Sequence, residues 1–262
     1  MKTTIGIIGG GNMGAAIING IRKDFTACVC EKDKKRSAYL KQAFGVSLQD
    51  LKTVVTGSQV VILAVKPQDF EETLNEVRRY VRRNHLLISI AAGITTLYIE
   101  KRLGESMRVV RTMPNLAAQV GEGITAVCKG VFAQKSDADL TCRIFNHVGR
   151  TIVVEERWLD AVTAVSGSGP AYVFLFMECL MKAAQSLGFK EDISKLLIMQ
   201  TLKGSLKLIE QLKDDPRVLR ERVTSKGGTT QAAMDVFLKH NIQEIFKEAI
   251  LAAEKREKEL AK

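Results

Sequence analysis

Residues 4–16, TIGIIGGGNMGAA, run from an apolar stretch into a glycine cluster that opens directly into a helical pattern. Gly9, Gly11 and Gly14 supply G-x-G-x-x-G. So tight a turn needs a residue without Cβ constraints at Gly9, and a backbone that approaches a pyrophosphate needs the same freedom at Gly11. Gly14 lets strand and helix pack closely. The free N–H groups of the following helix then point at phosphate. The glycine pattern alone occurs by chance in loops. Here Ile5, Ile7 and Ile8 make a buried strand ahead of it, and Ala15, Ile17, Ile18 and Ile21 an apolar helix face behind it. In that context it predicts dinucleotide binding.

A chain of 262 residues with 46% hydrophobic and 26% charged residues can bury a full core, and two domains are expected. No run of about 18 apolar residues and no secretory leader is read, so a soluble, cytoplasmic protein with no membrane partner is expected. Cys28, Cys30, Cys128, Cys142 and Cys179 form no C-x-x-C, and His85, His147 and His240 lie outside every motif. Reduced structural thiols, no metal site and no histidine acid/base chemistry follow. Cys28 and Cys30 alternate in a strand and should face one side of a sheet.

The net charge of +10 is uneven: residues 1–155 hold 22 basic and 14 acidic side chains, and residues 156–262 hold 17 and 15. The excess suits an anionic cofactor and substrate. Arg78, Arg79, Arg82 and Arg83 are expected on one solvated helix face, and with only Tyr80 among them they make no stacking platform for nucleic acid.

Along the chain, strands are read at 27–30, 60–65, 86–90, 107–111, 124–128 and 151–154, with helices between several of them, near 37–44 and 137–148. This alternation predicts a Rossmann-type doubly wound parallel sheet over residues 1–155, with its ligand crevice outside the strand carboxyl ends. Glu31 follows the second strand, close to where an acidic residue holds a ribose 2′-OH. Lys32, Lys34, Lys35 and Arg36 beside it could accept a 2′-phosphate, so NAD and NADP both stay open as cofactors. From residue 156 to 262 only helical patterns appear, at 157–165, 170–187, 193–212 and 231–260, and an all-α domain is expected. The helix from Pro170 carries Val173, Phe174, Phe176, Met177, Leu180 and Met181, more apolar surface than one small domain's core requires, which predicts burial between subunits. Its alternative is the central helix of a monomeric bundle. Residues 254–259 read as a solvated helix end.

Ser225-Lys226-Gly227-Gly228-Thr229-Thr230 lies between helices and has the makings of an anion nest, with glycines that permit φ > 0 and two hydroxyls alongside. Its alternative is a capping loop, with Thr229 or Thr230 capping a helix from Gln231.

Five stretches in order, Gly9 to Gly14, Ala64-Val65-Lys66-Pro67, Met113-Pro114-Asn115, Ser166 to Tyr172 and Gly227 to Thr230, resemble pyrroline-5-carboxylate reductase over nearly the whole chain. The resemblance implies NAD(P)H-dependent reduction of 1-pyrroline-5-carboxylate to L-proline, the last step of proline biosynthesis, by a homodimer or higher homo-oligomer. It implies cofactor contacts at Ile8, Gly9, Gly10, Gly11, Asn12, Met13, Ala64, Val65, Lys66, Pro67, Ile90, Ala91, Ala92 and Asn115, beside the Glu31 read above. The substrate carboxylate would be held at Ser225, Gly228, Thr229 and Thr230, with Thr230 nearest the ring nitrogen as the catalytic residue.

Three departures stand out. Leu116 and Ala117 follow Asn115 where the family usually has Thr-Pro, Lys226 replaces a usual proline, and Glu31 stands where small polar residues are common. Two other readings compete. A hydroxyacid dehydrogenase of similar layout would carry a lysine early in the long helix, where Val173 and its neighbours are apolar; a non-catalytic or regulatory dinucleotide-binding homologue would bind cofactor without turnover.

Overall fold

The computed structural model describes residues 2–104 and 106–260. Strands β1 (Thr4–Ile8), β2 (Thr26–Cys30), β3 (Ser47–Leu48), β4 (Val60–Leu63), β5 (Leu86–Ser89), β6 (Arg108–Met113), β7 (Gly123–Lys129) and β8 (Gly149–Val153) form one sheet. Their spatial order is β3-β2-β1-β4-β5-β6-β7-β8. Every pairing is parallel except β6 with β7. That exception follows from chain length, because the connection 114–122 is shorter than the crossover of about a dozen residues that parallel strands need.

Helices α1 (Asn12–Ile21) and α6 (Lys135–Phe145) lie on one face of the sheet, and α3 (Leu51–Thr56), α4 (Pro67–Val77) and α5 (Thr96–Leu103) on the other. β-strand alternation sorts the side chains. Ile5, Ile7, Ile62 and Ile88 pack with Ile17, Ile18, Ile21, Ile144 and Phe145, while Ile8, Val61, Leu63 and Leu87 pack with Val54, Phe70, Leu74 and Ile99. Each fully buried Ile or Leu contributes roughly 1.5–3 kcal/mol. Cys28 and Cys30 both lie against the second of these clusters, on one side of the sheet.

Packing divides the chain elsewhere than the expected 155/156 boundary. One compact unit comprises residues 1–170 and 253–262, the other 171–252. The stretch after β8 stays with the sheet because α7 (Leu159–Val162) buries Leu159 against Ala126 and Cys128. A π-helical turn at Thr163–Gly167 follows, with Ser168 N–H reaching back to Thr163 O at 2.8 Å. Two residues separate it from Pro170, which has no N–H to offer an α-helical ladder.

The second unit holds the body of α8 (Gly169–Ser186), then α9 (Glu191–Leu212), α10 (Pro216–Arg222), α11 (Thr229–Lys239) and the first turns of α12 (Ile242–Leu260). The single helix expected over 231–260 is two, because Asn241 at φ 51° breaks it. No residue of α8 is buried, and Val173, Phe174 and Leu175 are more than half exposed. The stretch Glu156–Ser186, helical apart from a bend at Ser168, is long and apolar enough to cross a membrane by length and mean hydropathy only, although polar residues interrupt it throughout.

Other expectations fail for local reasons. Arg78 to Arg83 follow the end of α4 in turns and are not on a helix face, though all four arginines are exposed. His85, directly ahead of β5, is buried; its Nδ1 accepts the Arg82 N–H at 2.7 Å, and burial pulls its pKa down. β3, α3, α5 and α10 escaped the reading because each is too short to display a period.

Gly149, at φ 144°, shows how tightly the far edge is built, since a Cβ there would run into the backbone of Gly123 on β7. Gly149→Ala should cost about 2 kcal/mol or more through strain and collision. Urea unfolding would check this; an unchanged midpoint would show that the β7–β8 pair can spread freely.

Candidate active site

At the carboxyl edge the sheet reverses its strand order between β1 and β4, where ligands of such folds bind. Gly9 adopts φ 99°, and a Cβ on it would lie 2.6 Å from the Ala64 carbonyl oxygen. Its N–H donates to Cys30 O at 2.9 Å, while Ala64 N–H donates to Ile8 O at 2.8 Å. Gly14 backs onto the Gly9 carbonyl so closely that any side chain would collide with it. Gly11 is the reverse case. It caps the start of α1 with no side-chain bond, and a Cβ on it would meet nothing within 4 Å. Uncapped amides therefore face open space, as a pyrophosphate requires.

A cleft of about 630 Å³ lies over this turn, within the range of ligand pockets. Ile8, Gly9, Gly11, Glu31, Ala64, Val65 and Lys66 line it. Of the remaining expected cofactor residues, Gly10 is buried beneath the turn, Asn12 and Met13 open α1, and Pro67 opens α4. Ile90, Ala91, Ala92 and Asn115 do not line the cleft; they follow β5 and β6 along the same edge. Asn115 Oδ1 accepts the Ile124 N–H at 3.2 Å and so ties the end of β6 to β7. Asp69, Glu72, Thr73 and Glu76 of α4 also line the cleft and were missed, since nothing in a helical stretch says which way it faces a distant loop.

The carboxylate of Glu31 is anchored: Oε2 accepts the Gly10 N–H at 2.6 Å and Oε1 the Asp33 N–H at 2.8 Å. Arg36 donates to the Gly10 carbonyl and lies over the Tyr39 ring at 4.8 Å. Lys32 pairs with Glu72 at 3.1 Å. Asp33 caps α2 (Lys34–Phe44) by accepting the Arg36 N–H. Burial, reinforced by Glu31, pushes the Cys30 thiol up, so this thiol in the cleft stays neutral and is no nucleophile at neutral pH.

The loop Ser225 to Thr230 lies in the second unit. Gly227 takes φ 72°, Gly228 is the N-cap of α11, and Thr229 and Thr230 are its first two helical residues. Neither threonine caps a helix from Gln231, because the helix starts at Thr229 and the cap position falls to Gly228 of the same loop. Gln231 Oε1 accepts the Gly227 N–H at 2.6 Å and Ser225 O accepts the Gly228 N–H at 3.0 Å, whereas the Thr229 and Thr230 amides have no intrahelical acceptor. Lys226 is exposed in the turn. Leu116, where the family usually has threonine, starts a 3₁₀ turn (Leu116–Val120) that buries Ala118 in the core.

Residues 156–260 match the family model of pyrroline-5-carboxylate reductase dimerisation, and residues 4–93 match that of the coenzyme F420-dependent NADP oxidoreductases. Pyrroline-5-carboxylate reductase 2 of Bacillus subtilis is 34% identical over 98% of this chain and 94% of its own. The solved pyrroline-5-carboxylate reductase of Coxiella burnetii shares 36% identity over the whole of both chains, with a TM-score of 0.91. The Plasmodium falciparum pyrroline carboxylate reductase, solved with NADP bound, shares 28% over 99% of this chain and 98% of its own, with a TM-score of 0.89. On these grounds the chain belongs to the pyrroline-5-carboxylate reductase family.

Proposed function

We propose which residues of this pyrroline-5-carboxylate reductase carry out its reaction, the NAD(P)H-dependent reduction of 1-pyrroline-5-carboxylate to L-proline. The near full-length match to reductases of that name carries the functional reading. When bound, the dinucleotide supplies the hydride. Residues 1–155 serve as its domain, with Gly11 and the first amides of α1 at the pyrophosphate, Glu31 toward the adenosine ribose, and Ile90 to Ala92 with Asn115 along the nicotinamide side. Residues 156–262 serve for dimerisation and substrate. The amides of Thr229 and Thr230 bind the substrate carboxylate, and the Thr230 hydroxyl orients the ring nitrogen. Supporting this are the uncapped start of α11 and the glycines that shape it. A protonated cyclic imine accepts hydride without a strong general acid, so orientation is the main demand, and a site of Gly, Ser and Thr meets it. The proposal is of a cytoplasmic enzyme acting on a small molecule.

Removing the hydroxyl in Thr230→Ala leaves the amides and glycines in place, so substrate KM should hold while kcat falls roughly tenfold to a hundredfold. Steady-state kinetics with racemic pyrroline-5-carboxylate measure it. An unchanged kcat would remove Thr230 from the site, and cofactor binding without any turnover in the native protein would favour the non-catalytic homologue.

For the cofactor we favour NADH. Glu31 can accept from a ribose diol but repels a phosphate dianion, while Lys32 is paired with Glu72 and Arg36 is engaged with Gly10 and Tyr39. Glu31→Ser should raise the KM of both cofactors, because Gly10 loses its anchor, yet shift the kcat/KM ratio toward NADPH by about tenfold. A clear NADPH preference that survives the substitution would give the decision to the lysines.

The chain forms homo-oligomers through its dimerisation domain; finer than this, we propose a homodimer or larger assembly with the exposed face of α8 at its interface, since that face is too apolar to leave in water. Sedimentation at micromolar concentration should show no monomer, and Phe174→Glu should produce one. A native monomer with full activity contradicts the proposal.

A further inference from the structure

Arg111, on β6, is only 3% exposed and faces three carboxylates. Its Nη1 lies 3.5 Å from Glu156 Oε1, and its Nη2 3.5 Å from Asp160 Oδ1 and 4.0 Å from Glu257 Oε1. Glu257 belongs to the last turns of α12, which the charge pattern placed in solvent, yet it is 6% exposed. All four residues lie in the first compact unit.

The three acids do different work. Glu156 is held by α5, accepting the Thr96 N–H at 2.7 Å and the Thr96 hydroxyl at 2.6 Å. With Asp160 it already neutralises the guanidinium, so Glu257 is not needed for that. What Glu257 alone provides is an acceptor for the N–H of Gly93, at 2.8 Å. Gly93 is buried at φ 69° and ends the loop that leaves β5 through Ala91 and Ala92. A buried N–H at that point needs a partner, and an ionised acceptor gives the stronger bond.

We infer that Glu257 is a positioning residue for cofactor binding: from the C-terminal helix it fixes the loop 90–93 through Gly93. The inference rests on the assignment of Ile90 to Ala92 to the dinucleotide. Loss of the bond should let the loop shift and weaken cofactor binding while the substrate loop near Thr230 keeps its own geometry.

Two measurements on the full-length protein test this: KM for each substrate, and hydrogen exchange over residues 90–93 with and without NADH or NADPH. Glu257→Ala should raise the cofactor KM about tenfold, leave the pyrroline-5-carboxylate KM within about twofold, and speed exchange at Gly93. Glu257→Gln keeps an acceptor oxygen and should restore the cofactor KM to within about threefold. Should Glu257→Ala not fold, Glu257→Gln still decides through Gly93, whose amide must exchange slowly in that variant and in the native protein; fast exchange in both overturns the inference. In the native protein, cofactor must slow exchange at 90–92. If it does not, the assignment of that loop to the dinucleotide is what fails. If it does, and Glu257→Ala keeps its cofactor KM while only its thermal stability falls, the residue is merely structural and the inference is wrong.

Discussion

How closely α1 can approach β1 governs the ligand edge. Gly14 rests on the Gly9 carbonyl, and Gly9 itself turns beneath the Ala64 carbonyl at a φ that side chains rarely adopt. These two close contacts bring the uncapped start of α1 over the end of the strand, where its amides act as a fixed partial positive charge. They also bury Gly10, whose N–H and C=O then need partners, and Glu31 and Arg36 supply them. The residues that read as a cofactor-selecting pair are thus also the struts of the turn, so selectivity and scaffold are joined in the same side chains.

Much of this was legible in the sequence, because the glycine turn, the buried parallel strands and the apolar helix faces are local patterns with a fixed period. The doubly wound parallel character of the sheet follows from the alternation of strands and helices. What escaped was short or distant. β3 is a two-residue strand, and α3 and α5 are brief. The break at Asn241 depends on one residue taking a left-handed conformation that asparagine tolerates but does not announce. The burial of Glu257 depends on partners at Arg111 and Gly93, and no reading of a Glu- and Lys-rich helix end could find them. Along the site, Glu31 was legible by its spacing, but its bonds to Gly10 and Asp33 were not.

Three acids around one buried arginine are costly to desolvate, and such a group persists only when each member is tied by further hydrogen bonds. Here Glu156 holds Thr96 and Glu257 holds Gly93, so the charge cluster staples the segments after β5 and β8 to the end of α12. It lies beneath the sheet edge where β5 and β6 end, so its rigidity is passed to loops on that edge.

The bond from Gly93 to Glu257 spans 164 residues of sequence, and this bears on how the protein is made. Synthesis at roughly 5–20 residues per second leaves on the order of ten seconds between completion of the sheet and the appearance of the last acid of its charge cluster. During that interval the nascent sheet has its strands and both hydrophobic layers, but the Gly93 N–H lacks its acceptor. The sheet's ligand edge is therefore completed by a residue 164 positions further on, and a chain arrested before Glu257 would fold a sheet whose edge at Gly93 is still loose.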